Sequence, residues 1–223
     1  MPRKPDPDWA TTHGKDIWRL RTVFKSHYRN QGRSFPWRTD LNPFQTLLTE
    51  CLLQRTRADI VVRVWEGFMT EFTCIQDLAE APTESIKKAI RPLGLAWRAG
   101  FLKKLAVDLK DRFQGNVPST SKDLMSLPGV GPYITAATRS FGHNIRDGIT
   151  DSNTVRVFSR YFNTRIEGDK APLRYWRLLS KIIANSPDHK LINYGMLDFA
   201  SDICRPGKPS CNLCDLRKSC LFP

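Results

Sequence analysis

The chain has 223 residues, 40% of them hydrophobic and 26% charged, enough apolar material for one large domain or two small ones that fold without disulfide staples. Its 35 Lys and Arg against 22 Asp and Glu leave a net charge of +13, which calls for a polyanionic partner. No stretch approaches the roughly 18 consecutive apolar residues of a spanning helix, so nucleic acid is expected and membrane is not.

Residues 1–8 lack the apolar run of a secretory signal and read as a short disordered tail of a protein kept in a reducing compartment, cytoplasmic or nucleoid. Ile17, Leu20, Phe24 and Tyr28 fall on one face of a helix predicted over 9–28. Gly32 breaks it, and Phe35-Pro36-Trp37-Arg38 reads as an irregular connector. Asn42-Pro43 predicts the next start, with Asn as cap and Pro in the first turn. In that helix Phe44, Leu47, Leu48, Cys51 and Leu52 form the apolar stripe, and Glu50 points away from it. Val61, Trp65, Phe68, Met69 and Phe72 mark a third helix, 78–81 a short fourth, and 83–91 a fifth stopped by Pro92 and Gly94. Leu102, Leu105, Ala106, Leu109 and Phe113 mark a sixth, closed by Gly115. Ser121 reads as the cap of a short helix that enters Leu127-Pro128-Gly129-Val130-Gly131, and 132–141 as the helix that leaves it. Two more helices are predicted over 173–183 and 191–203. Period-two alternation is nowhere sustained, so the fold class is all-α, and the aliphatic and aromatic stripes are its core.

Three groups of residues stand out from this frame. Two glycines around Val130 let the backbone turn sharply, and Pro132 suits the first position of the following helix. Such a hairpin presents N–H groups at a helix N-terminus, where a phosphate can sit, although many helical hairpins close with glycines and bind nothing. Asp151, ahead of Ser152-Asn153-Thr154-Val155, is a good N-cap. Of the six cysteines, Cys51 and Cys74 lie among apolar residues and read as small buried hydrophobes. Cys204, Cys211, Cys214 and Cys220 have the spacing C-x6-C-x2-C-x5-C, and four thiolates suit either a closed zinc site or an iron–sulfur cluster.

The Leu127–Gly131 turn followed by Asp151-Ser152-Asn153 resembles the helix-hairpin-helix glycosylase superfamily, which includes endonuclease III. Glu50-Cys51-Leu52-Leu53-Gln54-Arg55-Thr56 and the terminal cysteines look like the branch that holds MutY-type adenine glycosylases and G/T mismatch-specific thymine glycosylases. The resemblance runs from about residue 35 to residue 220. It implies two helical lobes with a cleft: a helical barrel, 35–147, containing the hairpin, and a C-terminal lobe, 148–223, against which the tail and first helix, 1–34, pack. It also implies that Asp151 is catalytic, its charged form favoured by helix N–H groups and the helix dipole, and that it stabilises the positive charge on the sugar as the glycosidic bond breaks. Asn153 matches a position near the abasic sugar.

Endonuclease III-type enzymes place a lysine just after the hairpin turn, where its amine forms an imine and leads on to strand cleavage. Here that residue is Tyr133, which implies a pocket wall and a monofunctional hydrolase without strong lyase activity. Glu50 would face the flipped base, protonating adenine or hydrogen-bonding the edge of thymine or uracil. Gln54 would fill the space the nucleotide vacates, with Arg55 as helper, while Gly129, Val130 and Gly131 grip the strand. The order of the terminal cysteines looks like the [4Fe–4S] cluster of endonuclease III, mainly structural there, and zinc stays the alternative. The cluster would pin the 205–210 loop, whose Lys208 can meet phosphate, with Arg217 and Lys218 on the same basic edge.

The adenine-removing branch usually carries a further C-terminal domain, whereas this chain ends three residues past Cys220. With Tyr133 where MutY-type proteins commonly have serine, the expected substrate is thymine or uracil mispaired with guanine in double-stranded DNA. A monomer is expected, which passes its abasic product to a downstream endonuclease. Two alternatives remain: a MutY-type glycosylase acting on adenine opposite guanine or 8-oxoguanine, and a non-catalytic iron–sulfur DNA-binding protein. Against the second stands the presence of Asp151 and Glu50, because carboxylates repel the phosphates that a simple binder must hold.

Overall fold

The structure, a computed structural model, describes residues 12–163 and 171–222. The expected tail and the start of the first helix at Trp9 lie outside them. Among the described residues every regular element is helical, and no helix is long and apolar enough to cross a membrane. The chain forms two compact units, one of residues 34–145 and one that joins residues up to 33 with those from 146 on.

The first helix, α1 (Gly14–Gln31), belongs to the second of these units and buries Ile17, Leu20, Val23 and Phe24. Its partners come from the other end of the chain, α10 (Ala171–Ala184) and α11 (His189–Asp202), while Tyr161 at the end of α9 (Ser152–Tyr161) donates to Asp16 Oδ1 (2.8 Å). Where α1 and α11 cross, a side chain on Gly195 would put its Cβ 1.9 Å from the Phe24 carbonyl oxygen, so only glycine permits the approach. Arg33, just past α1, donates to the buried Asp198 carboxylate from its backbone N–H (3.0 Å) and its Nε (2.6 Å). Arg21 donates to the carbonyls of Ile182, Ile183 and Asn185 at the end of α10, satisfying oxygens that a helix leaves without partners.

The other unit is built from α2 (Pro43–Leu53), α3 (Ala58–Glu71), α4 (Ile75–Glu80), α5 (Thr83–Ala89), α6 (Trp97–Phe113), α7 (Ser121–Ser126) and α8 (Pro132–Ala137). Their apolar stripes meet in one core that includes Leu47, Leu52, Phe68, Leu78, Leu102 and Leu109. Asn42 and Gln45 form a reciprocal capping box at the start of α2, with Pro43 at the first position. The sixth helix closes through Gln114 (φ 54°) and Gly115 (φ 73°), two successive left-handed residues.

Three expectations need correction. Thr120, not Ser121, caps α7: Thr120 is extended and its hydroxyl accepts from the Asp123 N–H (3.1 Å), whereas Ser121 is already helical. Cys74 is exposed rather than buried, because it is the extended N-cap of α4, where Asp77 draws its N–H outward (3.1 Å) while Phe72 and Ile75 on either side face the core. The helix leaving the hairpin is α-helical only to Ala137. It then widens over Thr138–Gly142, with the His143 N–H bonded to Thr138 O (3.0 Å). That wider turn ends at Gly142, where a Cβ would lie 2.8 Å from Pro43 Cα at the start of α2.

Candidate active site

Asp151 precedes α9 in an extended conformation, and its carboxylate is held on both oxygens. Oδ1 accepts from the Thr154 N–H (2.8 Å) and Oδ2 from Asn153 Nδ2 (2.7 Å). Thr154 Oγ1 returns the contact by accepting from the Asp151 N–H (2.9 Å), which completes a capping box. The segment that delivers Asp151 is pinned from behind. Asn193, fully buried on α11, donates to Asp147 O (2.9 Å) and accepts from the Ile149 N–H (3.3 Å). Thr150 donates to Ser180 Oγ (2.9 Å), and a Cβ on Gly148 would lie 2.2 Å from the Ser180 backbone. The Asp151 carboxylate is therefore fixed in position while the residue itself stays half-buried.

Behind it runs a chain of hydrogen bonds to the cysteine loop. Asn153 Oδ1 accepts from Arg156 Nη1 (3.0 Å), and Arg156 also donates to the carbonyls of Cys204 (2.9 Å) and Ala200 (2.9 Å). One turn on, Arg160 Nη1 donates to Arg205 O (2.8 Å) and lies 3.5 Å from Cys204 Sγ. The two arginines of α9 thus grip the loop that starts at Cys204.

In the unit of residues 34–145, the hairpin turn is anchored by Leu127, Val130 and Ile134, each nearly fully buried. Gly129 is left-handed (φ 62°), and a Cβ there would strike the Phe101 ring at 2.3 Å. Gly131 differs: its φ is −87° and a side chain would meet nothing within 4 Å. The fold demands glycine at 129 but not at 131. Val130 is turned inward and its N–H is committed to Leu127 O (3.3 Å), so the backbone that faces solvent belongs to the two glycines. Pro132 opens α8, whose N-terminus has no side-chain cap, and Tyr133 follows it, half-buried against the core.

Glu50 lies on the side of α2 away from the apolar stripe and is nevertheless buried, at 7% exposure. The helix ends at Leu53, and Gln54, half-buried, donates from Nε2 to Gly129 O in the hairpin (3.2 Å). Arg55 is exposed and left-handed at φ 53°, a backbone state that costs a residue with a β-carbon about 1–2 kcal/mol.

The family model described as "HhH-GPD superfamily base excision DNA repair protein" matches residues 48–182. The chain belongs to this superfamily. Among the relatives of this HhH-GPD protein, "Thymine/uracil-DNA glycosylase" of Methanothermobacter thermautotrophicus is 35% identical over 91% of this chain and 94% of its own length. "Adenine DNA glycosylase" of Buchnera aphidicola subsp. Baizongia pistaciae is 30% identical over 90% of this chain and 57% of its own length. A solved structure of a thermostable thymine-DNA glycosylase superposes with a TM-score of 0.89 at 32% identity, covering 96% of this chain and 98% of that one.

The four terminal thiols of this HhH-GPD chain share one neighbourhood. Burial raises Cys214 to about 11; the N–H of Leu216 works in the opposite direction, and the thiols of Cys220, Cys204 and Cys211 add to the rise. Cys220 is raised by the same burial and opposed by the Phe222 N–H. Among the described residues no group of three or more His, Cys, Asp or Glu is gathered to hold a single metal ion. Lys208, Arg217 and Lys218 are exposed around the loop.

Sequence reasoning missed Arg98, Arg156 and Asn193. Each is a polar side chain that holds backbone carbonyls far away in the chain. An arginine or asparagine on a helix carries no local sign that its partners lie tens of residues off.

Proposed function

We propose that this protein is a monofunctional DNA glycosylase that turns thymine or uracil mispaired with guanine out of double-stranded DNA and hydrolyses its glycosidic bond, leaving an abasic site. Support comes first from Asp151, whose carboxylate is fixed by two hydrogen bonds at the start of a helix in a segment braced by Asn193 and Ser180. Breaking the bond between C1′ and the base nitrogen builds positive charge on the sugar. A carboxylate that need not move to meet that charge stabilises it without reorganisation, and can also guide the attacking water. The identity to the Methanothermobacter thymine/uracil glycosylase, which spans almost the whole chain, points to the same bond and the same bases.

The other residues take separate roles in the reaction. Glu50, already withdrawn from bulk water, hydrogen-bonds the edge of the extruded pyrimidine, which leaves as an anion. Tyr133 forms a pocket wall; its phenol cannot make an imine with C1′, so the product is an intact strand with an abasic site. Gln54 exchanges its bond to Gly129 O for the space left in the duplex, with Arg55 beside it. The open backbone at Gly129 and Gly131 receives a strand phosphate, and the missing side chain at 131, which the fold does not require, leaves room for it. Val130 contributes by anchoring that turn. Asn153 steers Asp151 and lies near the sugar.

Cys204, Cys211, Cys214 and Cys220 hold a [4Fe–4S] cluster in this reading. An all-thiol donor set fits it, and so do N–H groups aimed at the sulfurs, from Arg160 and from the backbone of Leu216 and Phe222. When bound, the cluster supplies a rigid cross-link for the loop that presents Lys208, Arg217 and Lys218 to phosphate.

Purified protein is incubated with G·T, G·U and 8-oxoguanine·A duplexes, and half of each sample is then treated with alkali. Breaks at thymine and uracil after alkali alone are expected. Breaks at adenine would favour the MutY-type activity, breaks without alkali would refute the role given to Tyr133, and none at all would leave a DNA-binding protein. Iron and sulfide in the purified protein are expected in equal amounts; colourless protein containing zinc would overturn the cluster.

A further inference from the structure

The turn between α2 and α3 carries Gln54 and Arg55, and it is held from another helix. Arg98, in the first turn of α6, is fully buried, and its guanidinium donates to Leu52 O (2.9 Å), Gln54 O and Thr56 Oγ1 (3.0 Å). All three acceptors are neutral, and together they bracket Arg55, whose left-handed backbone a β-carbon resists.

As a device for stability this is a poor choice. A guanidinium taken out of water against neutral oxygens keeps much of its desolvation cost, burial pushes it below its ordinary value, and its Nε has no hydrogen-bond partner among the described residues. A methionine of similar length would fill the same space without stranding a charge. What arginine does that methionine cannot is fix three oxygens of one turn at once, in one plane and at set distances.

The same helix also braces the hairpin. Phe101, one turn beyond Arg98, packs against Gly129 where a Cβ would be, and Gly129 O is the acceptor of the Gln54 side chain. When Gln54 lets go of Gly129 to enter a duplex, its side-chain tether is lost. Arg98 grips the backbone of the turn rather than that side chain, so its hold survives the exchange.

We infer that Arg98 is a positioning residue for base extrusion: it keeps the 54–56 turn in the shape from which Gln54 and Arg55 can occupy the vacated stack and hold the nucleotide out. The inference rests on the glycosylase reading above. It predicts a defect that depends on how firmly the target base is held in the duplex, because Arg98 acts on extrusion and not on bond cleavage.

Arg98→Lys and Arg98→Met are compared with the unaltered protein under single turnover on two duplexes, one with thymine opposite guanine and one with thymine opposite an abasic-site analogue, where extrusion is easy. Since unpairing and unstacking cost a few kcal/mol, a loss of about 30-fold or more is expected on the first duplex and of less than about 5-fold on the second. A fluorescent base next to the target should report less extrusion on the paired duplex. If the Arg98 variants fail to fold, Thr56→Val removes one acceptor and leaves the guanidinium in place. It should show the same selectivity, with about a 5-fold loss on the paired duplex, the size of one hydrogen bond. Equal losses on both duplexes would mean that Arg98 only supports the fold, and would overturn this inference alone. Failure of the unaltered protein to release thymine from either duplex would overturn the glycosylase reading and this inference with it.

Discussion

Asn153 stands between a carboxylate and a guanidinium, and that fixes which way its amide points. Asp151 can only accept and Arg156 can only donate, so Nδ2 faces the one and Oδ1 the other. Asn153→Ala should free one oxygen of Asp151 to swing, slowing excision by about 10-fold, the worth of one hydrogen bond of about 1.4 kcal/mol, while DNA affinity measured by titration stays the same. Asn153→Asp should be worse, since it sets a second negative charge against Asp151. At this scale the sequence was readable where a residue's role is local. Asp151 as a cap, Asn42-Pro43 as a helix start and a sharp glycine turn beside Val130 all follow from short patterns and are present in the structure, although only Gly129 is left-handed. Arg98, Arg156 and Asn193 were not readable, because their partners are remote. Cys74 was misread because its apolar neighbours in sequence point away from it in space.

The helices show where periodicity suffices and where it stops. Apolar spacing located α1, α2, α3 and α6, since a stripe at i, i+3, i+4 and i+7 has few other uses. It did not reveal that the segment leaving the hairpin widens at Thr138, nor that the wider turn ends at Gly142 in close contact with Pro43. Nor did it mark Gly195, which reads as an ordinary weak helix residue yet permits the crossing of α1 and α11. Gly195→Ala should destabilise the protein by about 3 kcal/mol, the upper range for overpacking, seen as a fall in denaturation midpoint. Asn42→Ala removes one half of the capping box on an exposed helix start and should cost only about 1 kcal/mol. Similar costs for the two would mean that the helix crossing yields more than the backbone distances imply.

For the molecule as a whole, charge and titration make separate predictions. A net charge of +13 implies binding through phosphates; with about six contacts, affinity for any duplex should fall about a thousandfold between about 50 and about 200 mM salt. Stability should rise with pH across the histidine range. Burial holds both His143 and His189 below 6.5 in the folded state, so as pH falls through that value the unfolded chain takes up protons first and folding is weakened. Unfolding midpoints at pH 7.5 and pH 5.5 check this, and His143→Gln should flatten the difference. Neither prediction reaches the chemistry itself, which in the proposed function depends on one carboxylate. In Asp151→Asn the capping oxygen is kept and shape is conserved, so the unfolding midpoint should shift little and affinity for a G·T duplex should be retained. Release of thymine measured under single turnover should fall by about three orders of magnitude, the loss of one charge at the transition state. A variant that folds, binds and still releases thymine at the original rate would contradict the account.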